Sequence, residues 1–227
     1  MEITVVSTSV AFALLCAIFF WSIPLHETST LIHAITKITP TATLLMGSLE
    51  CSTPTVKAFQ TLAVFCSFCG DLLLVHTEAF LIPGALFFAC AHFLYIRCVL
   101  ERHGLTIDQL RVICRIHSYA LVPILAVNAL LLFNVLGPIL AESAILLVII
   151  GSYALLLSTT VWVAVATMLE YGTLDSLLCA TGFTLFFISD SVLIYDLFHP
   201  FAMGRHLFMS TYYGAQYFIF LVRSDCD

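Results

Sequence analysis

Two aspartates stand inside long apolar stretches of the sequence, where a charge is costly. Asp71 falls in the stretch 58–76 and Asp190 in the stretch 174–198. An ionisable residue inside a membrane segment costs several kcal/mol, so it indicates a functional site by default. Two carboxyl groups that share a low-dielectric site favour one proton between them. The pair therefore predicts acid–base chemistry, with one aspartate as general acid and the other as general base toward water.

Other polar side chains occupy the same apolar stretches. The candidates for substrate binding are Lys37, His92, Tyr95, Tyr212, Tyr213 and Gln216. His92 and Tyr95 are three residues apart, which puts both on one face of a helix. Counting from the ends of the stretches places Lys37 and both aspartates toward the same side of the membrane. We therefore expect one polar pocket, in which Lys37 holds a carboxylate ionised or binds a phosphate.

A purely structural role is the alternative for each of these residues. A lysine and an aspartate can form a buried ion pair that only fixes the packing, and His92 can be a hydrogen-bonded core residue. The whole set exceeds what packing requires, so we favour a functional site. Cys66 and Cys69 form a C-x-x-C that could bind metal or do redox chemistry. Small residues at helix–helix contacts explain membrane cysteines more simply.

The elements that must position these residues follow from the composition. Of the 227 residues, 61% are hydrophobic and 10% are charged, whereas a soluble domain carries about 25% charge. Apolar runs near the length of about 20 residues that a bilayer requires occupy residues 4–23, 31–49, 58–76, 79–100, 118–136, 139–168, 174–198 and 206–222. The runs are continuous rather than alternating, which favours helices over strands. We predict an all-α polytopic membrane helix bundle with about eight transmembrane helices in a single domain, residues 1–227.

The two halves of the chain carry similar segments. Residues 68–74 and 187–193 each place an aspartate after a small residue, late in an apolar stretch. The two aspartates are separated by roughly half of the chain. Four helices in each half return the chain to its starting side, so we predict a parallel repeat with halves 1–116 and 117–227.

The basic residues predict the orientation. The terminal side of an eight-helix arrangement carries Lys57, Arg97, Arg102, Arg111, Arg115 and Arg223, and the opposite side carries Arg205. This bias predicts that both termini are cytosolic. The connection 101–115 is then the main cytosolic loop, or alternatively a short interfacial amphipathic helix. We expect the linkers where turn residues cluster, at Pro24, Ser52-Thr53-Pro54, Gly137-Pro138, Tyr171-Gly172 and His199-Pro200.

Several short motifs together carry a family resemblance. They are the segment 33–40 with Lys37 and Pro40, Gly70-Asp71, Gly84 with Phe87, Ala91-His92 and Tyr95, Tyr153, the segment 186–191 around Asp190, and Tyr212-Tyr213 with Gln216. In these motifs the chain resembles the YhhN family, whose eukaryotic members are the transmembrane protein 86 type of lysoplasmalogenase. The family tends to place proline directly after the lysine, whereas two residues separate Lys37 from Pro40 here.

The resemblance implies hydrolysis of the vinyl ether bond of lysoplasmalogens, by acid–base catalysis at Asp71 and Asp190. It implies a lysophospholipid substrate whose phosphate meets Lys37 or Arg205, no metal or organic cofactor, and an endoplasmic reticulum membrane. The lipid bilayer is the expected environment. Nucleic acid is not an expected partner, because basic residues are too few for its footprint.

Four other functions compete with hydrolysis of an ether lipid. Internal repeats with charges near the midplane are typical of small transporters, although no pair of broken helices occupies corresponding positions. Gly70-Asp71 and Tyr195-Asp196 are similar to the two motifs of intramembrane aspartyl proteases, but in reversed order. The remaining alternatives are a lipid-binding protein with a buried polar site and a scaffold without chemistry.

Overall fold

The computed structural model describes residues 2–26, 28–49 and 54–222. In these ranges the chain forms helices joined by short turns and contains no strand, which confirms the all-α prediction. The helices are α1 (Glu2–His26), α2 (Thr30–Ser48), α3 (Pro54–Leu73), α4 (Thr77–Arg102), α5 (Ile107–Ile116), α6 (Leu121–Glu142), α7 (Ala144–Tyr171), α8 (Leu174–Phe198) and α9 (Gly204–Leu221). Arg223, one of the basic residues used to predict the orientation, lies outside the described residues, as does the rest of the C-terminus.

Six helices of the described chain are long and apolar enough to cross a membrane. The candidate spans are Thr4–His26, Val56–His76, Ala79–Arg102, Ser118–Leu140, Ala144–Tyr171 and Leu174–Phe198. Large apolar side chains on them are highly exposed, with Trp21 at 79% and Phe133 at 84%, as expected for surfaces that face lipid. The chain is therefore an integral, multi-pass membrane protein. That α2 and α9 also cross, which would make eight spans, stays a prediction.

The chain divides into two compact units. The first contains α1 to α4, up to Arg102, and the second runs from His103 to Val222 with α5 to α9. The second unit begins ahead of the predicted half boundary at residue 117, because α5 packs against α7. The relation of the two units by an internal repeat stays a prediction.

In the first unit, each helix packs on the next along the chain. The α1–α2 hairpin is joined by His26, whose ring stacks on His33 with centroids 4.5 Å apart and whose Nε2 lies 3.0 Å from Thr36 Oγ1. The α3–α4 contact depends on Gly70. A Cβ at Gly70 would lie 2.7 Å from the Phe88 ring, so only glycine lets the two helices approach this closely.

Helix α4 contains a kink near its start. Phe80 has non-helical angles, φ −123° and ψ 21°, and Pro83 lies three residues further on. Proline cannot donate a backbone hydrogen bond and its ring clashes with the preceding turn, which kinks a helix. The remaining helix carries His92 and Tyr95 into the core of the unit.

The predicted linkers at Pro24 and at Gly137-Pro138 are wrong. Pro24 lies inside α1, which ends at His26. Ser52 and Thr53 of the predicted linker before α3 lie outside the described residues, and Pro54 begins α3. Gly137 and Pro138 lie inside α6, and the chain breaks at Ser143 instead. Ser143 adopts an extended conformation and its hydroxyl accepts a hydrogen bond from the Ile145 amide, 3.2 Å away, which caps α7. Pro138 lies late in α6, where the apolar face continues past it.

The other two predicted helix boundaries of the second unit, at Tyr171-Gly172 and His199-Pro200, are confirmed. Gly172 ends α7 in the left-handed conformation, with φ +60°, which favours glycine. Thr173 then caps α8 by accepting a hydrogen bond from the Ser176 amide. Pro200 follows the end of α8. Helices α8 and α9 pack closely at Gly182, because glycine has no side chain to separate them. A Cβ at this position would lie 2.7 Å from Ile219 Cγ1.

Candidate functional site

Asp71 is held in the first unit by a hydroxyl on the preceding helix. The Thr41 hydroxyl donates a hydrogen bond to Asp71 Oδ2 at 2.6 Å. Thr41 is fully buried in α2 and Asp71 is 2% exposed in α3. Burying a carboxyl group without hydrogen-bond partners would cost several kcal/mol. The hydrogen bond from Thr41 offsets part of this cost for Asp71.

Lys37 lies one helical turn before Thr41, on the same face of α2. Its Nζ donates a hydrogen bond to the Leu74 carbonyl at 2.8 Å. The last carbonyl groups of a helix lack partners within it, and Leu74 begins the 3₁₀ turn that follows α3. The lysine therefore binds the end of the helix that carries Asp71, and it is 5% exposed.

Tyr95 brings α4 to the same cluster. Its side chain is 1% exposed and lies near Ser67 and Asp71. Ser67 precedes Asp71 by one turn of α3, as the four-residue spacing predicts. His92 is fully buried, with its ring centroid 6.4 Å from that of Tyr95. We call Lys37, Thr41, Ser67, Asp71, His92 and Tyr95 the Asp71 cluster.

Asp190 has an equivalent hydroxyl partner in the second unit. The Tyr153 hydroxyl, on α7, donates a short hydrogen bond to Asp190 Oδ2, on α8. The aspartate is half-buried. The neighbouring Ser189 is buried, and its hydroxyl donates to the Phe208 carbonyl at 2.9 Å. This contact fixes α8 against α9 next to the carboxyl group.

The predicted residues of α9 form a group of their own beside α8. Gln216 Nε2 donates a hydrogen bond to the Tyr212 hydroxyl at 3.1 Å. The Tyr212 ring meets Phe186 edge-on, with centroids 5.4 Å apart, and Phe186 lies one turn before Asp190. Tyr213 contacts Tyr212 with ring centroids 5.6 Å apart. All three predicted site residues of α9, Tyr212, Tyr213 and Gln216, are buried.

The sequence interpretation missed Thr41 as a site residue and named Tyr153 only among the motifs of the family resemblance. Both are hydroxyl donors on the helix that precedes the aspartate-bearing helix. The signal available for Thr41 is its position one turn after Lys37. The prediction that the two aspartates face one pocket stays a prediction.

The Asp71 cluster contains groups that can donate and accept protons. It combines a carboxyl group, an ammonium group, an imidazole and a phenol in a buried place. A hydrogen bond from a hydroxyl favours the ionised form of a carboxylate, whereas a buried carboxyl that keeps its proton can act as general acid. Cys66 and Cys69 of the C-x-x-C are half-buried free thiols on α3.

Comparison with known families gives one match. The model of the YhhN family matches residues 32–223, a range that contains both aspartates and all of the substrate-binding candidates. No curated protein and no solved structure shows significant similarity to the chain.

Proposed function

Because the chain belongs to the YhhN family, we propose that it is a lysoplasmalogenase, a hydrolase acting on the vinyl ether bond of lysoplasmalogens. The observation that carries this proposal is the pairing of a membrane aspartate with a hydroxyl donor in each unit. Vinyl ethers are cleaved by acid, so an enzyme for them needs a proton donor in an apolar site rather than a strong nucleophile.

The reaction consumes one water molecule. A proton is added to the carbon β to the ether oxygen, which turns the vinyl ether into an oxocarbenium ion. Water adds to the α carbon and loses a proton, giving a hemiacetal. The hemiacetal collapses to a fatty aldehyde, and the glycerol oxygen leaves as the hydroxyl of glycerophospho-ethanolamine or -choline.

We assign the two proton transfers to Asp71 and Asp190. One carboxylic acid supplies the proton to carbon, and one carboxylate stabilises the cation and accepts the proton of water. Their hydroxyl partners, Thr41 and Tyr153, orient the carboxyl groups.

We assign the remaining residues of the clusters to substrate binding. His92 and Tyr95 line the Asp71 cluster, and the pair of Tyr212 and Gln216 adds hydrogen-bonding groups beside α8. Lys37 is the cation for the lipid phosphate. The acyl-like chain of a lysolipid lies along apolar surface, which the spans supply, and the endoplasmic reticulum is the proposed membrane.

The test is a product assay with purified protein. We expect release of free aldehyde and of the glycerophospho-head group from a lysoplasmalogen, both detected by mass spectrometry. The matched control substrate is the saturated ether lysolipid, which has the same shape but no double bond to protonate. Recovery of intact lysoplasmalogen, or equal cleavage of the saturated ether, would contradict the proposal.

The same preparation separates hydrolysis from transport. In proteoliposomes, a transporter moves the intact lipid or an ion across the bilayer, whereas a hydrolase produces aldehyde in detergent, where no gradient exists. Flux of intact lysolipid without aldehyde in either setting would favour the transporter.

A further inference from the structure

Helix α5 has a face that no other element of its unit covers. It begins with a capping box, in which Thr106 and Gln109 exchange hydrogen bonds, so its start is fixed by its own sequence. Leu110, Ile113 and Cys114 are buried, and the helix packs against α7. The opposite surface of α5 is exposed.

Two contacts hold α5 at the end of a membrane span. Before the helix, the His103 ring stacks on Tyr171 with centroids 4.5 Å apart. After the helix, His117 Nε2 lies 3.0 Å from Glu170 Oε2. Tyr171 and Glu170 form the last turn of α7, whose candidate span ends at Tyr171. Since a candidate span ends at this turn, α5 is attached at the end of α7 where the chain would reach the membrane surface.

The exposed surface of α5 has two different edges. At 100° per residue, Val112 and Ile116 lie one turn apart on an apolar edge, and they are 56% and 60% exposed. Arg111 and Arg115 lie one turn apart on a basic edge, and Asp108 lies between the basic edge and the apolar edge. Arg111 contacts Asp108 at 2.8 Å in an exposed ion pair, which is worth little in water. In the described part of the chain, no ion pair involves Arg115.

We propose that α5 is a membrane-surface helix that binds anionic phospholipid headgroups through Arg111 and Arg115. Val112 and Ile116 enter the boundary of the acyl chains beside them. An apolar edge next to a basic edge is the pattern of helices that lie in the interface, and guanidinium groups match phosphate geometry. The partner of this exposed surface is the lipid leaflet, because the contacts of His103 and His117 hold α5 at the level of the leaflet.

The depth of α5 is the first test. Spin labels are placed at Val112→Cys and at Ile107→Cys in otherwise cysteine-free, full-length protein in nanodiscs of phosphatidylcholine and phosphatidylserine. Ile107 is 62% exposed and lies one turn before Arg111, on the basic edge. We expect the label at residue 112 to collide more with oxygen, which dissolves in lipid, and the label at residue 107 to collide more with a water-soluble nickel chelate. Water-like collision rates at both positions would overturn the proposal.

Headgroup selectivity is the second test. Detergent-purified protein is titrated with phosphatidylserine and phosphatidylcholine, and bound lipids are counted by native mass spectrometry. We expect a preference for phosphatidylserine that Arg111→Gln and Arg115→Gln each weaken roughly fivefold, since a basic residue near an anionic surface contributes about that factor. The charge-matched control is Arg97→Gln on α4, which should keep the preference.

Each other outcome of the titration overturns the proposal. A preference lost equally in Arg97→Gln would show a general charge effect rather than binding at α5. Displacement of phosphatidylserine by an equal concentration of inorganic phosphate would assign the arginines to a soluble anion. Unchanged selectivity in a folded Arg111→Gln, Arg115→Gln double variant, with folding checked by size exclusion, would remove the arginines from lipid binding.

Discussion

At the scale of residues, each membrane aspartate of this protein has a hydroxyl donor on the helix before it. Thr41 donates to Asp71 and Tyr153 donates to Asp190. A carboxyl group that turns freely would present either oxygen to the substrate, and a hydrogen bond to one oxygen leaves the other in a defined direction. We therefore regard both hydroxyls as positioning groups for the proposed chemistry.

Thr41→Val should lower kcat by roughly 10- to 100-fold with a smaller change in KM. Valine keeps the shape of threonine and removes the hydrogen bond, and a hydrogen bond to a charged group contributes about 1.5–3 kcal/mol. Thr41→Ser keeps the hydroxyl and should restore most of the activity. Steady-state kinetics on a lysoplasmalogen measure both variants, and Tyr153→Phe should act in the same direction.

Equal loss in Thr41→Ser and Thr41→Val would mean that the methyl group of Thr41 matters for packing and its hydroxyl does not matter for chemistry. Unchanged kcat in Thr41→Val would remove the hydrogen bond to Asp71 from the mechanism.

The sequence predicted the charged and aromatic members of the clusters but not their partners. Asp71, Lys37 and His92 stand out because their types are rare in apolar stretches. Thr41 does not, because threonine is common in membrane helices. The partner of Lys37 is a backbone carbonyl, at Leu74, and a backbone group carries no signal in the sequence.

At the scale of elements, the close contact of α8 with α9 depends on a missing side chain. A Cβ at Gly182 would lie 2.7 Å from Ile219 Cγ1 and 3.1 Å from the Ala215 carbonyl. The backbone carbonyl cannot move aside as a side chain could. This contact positions Tyr212 and Gln216 beside the helix that carries Asp190.

Gly182→Ala should destabilise the protein by about 1–3 kcal/mol, the usual cost of overpacking. The matched control is Gly151→Ala on α7, where a Cβ would meet nothing within 4 Å. Alanine is the better helix former by about 0.5–1 kcal/mol, so this control should be neutral or stabilising. Thermal unfolding in detergent compares the two variants, and a loss of stability in Gly151→Ala as large as in Gly182→Ala would contradict the packing argument.

Cys114 reports whether α5 stays on α7. Burial raises the pKa of the Cys114 thiol above its ordinary value, and only the thiolate reacts with alkylating reagents. We expect slow alkylation at neutral pH that accelerates as the pH rises toward the raised pKa. Glu170→Gln, which removes the carboxylate beside His117, should speed the reaction at constant pH.

Mass spectrometry of the peptide that contains Cys114 measures this rate separately from the other cysteines. The same peptide in denatured protein gives the rate of an accessible thiol. Equal rates in native and denatured protein would show that α5 is not docked.

Helix boundaries were predictable where a capping residue and a helix breaker coincide. The predicted segment 174–198 matches α8 at both ends, because Thr173 caps its start and Pro200 follows its end. The α6–α7 boundary was misplaced, because Pro138 looks like a breaker in the sequence, while the cap that ends the turn is Ser143.

At the scale of the whole molecule, the composition predicts a multi-pass membrane protein and the structure confirms six candidate spans in the described chain. The sequence predicts that α2 and α9 also cross the membrane, but they are not among the six candidate spans. Lys37 lies in α2, and Tyr212 and Gln216 lie in α9. These polar candidate site residues lower the hydropathy of the two helices and so weaken the signal for crossing.

If α2 and α9 cross the bilayer, residues at their two ends are accessible from opposite sides. Single cysteines at Thr28 and Leu49 bracket α2, and cysteines at Pro200 and Asp227 bracket α9. In a cysteine-free background, an impermeant maleimide should label Leu49→Cys and Asp227→Cys from the cytosol and the other two from the lumen. Labelling of both members of a pair from one side would show that the helix does not cross.

The most direct test of the proposed chemistry is aldehyde release by Asp71→Asn and Asp190→Asn. Asparagine keeps the volume of aspartate but can neither donate an acidic proton nor act as a base, and loss of acid–base help typically costs about 10²- to 10⁴-fold. Asp196→Asn is the matched control, because it makes the same substitution on α8 outside the proposed chemistry. The Asp196 carboxylate accepts a hydrogen bond from the Phe201 amide near the end of the helix. We predict that both Asp71→Asn and Asp190→Asn remain folded and lose aldehyde release by at least about 100-fold, while Asp196→Asn stays active. Near-normal turnover in either of the first two variants would contradict the two-carboxylate mechanism.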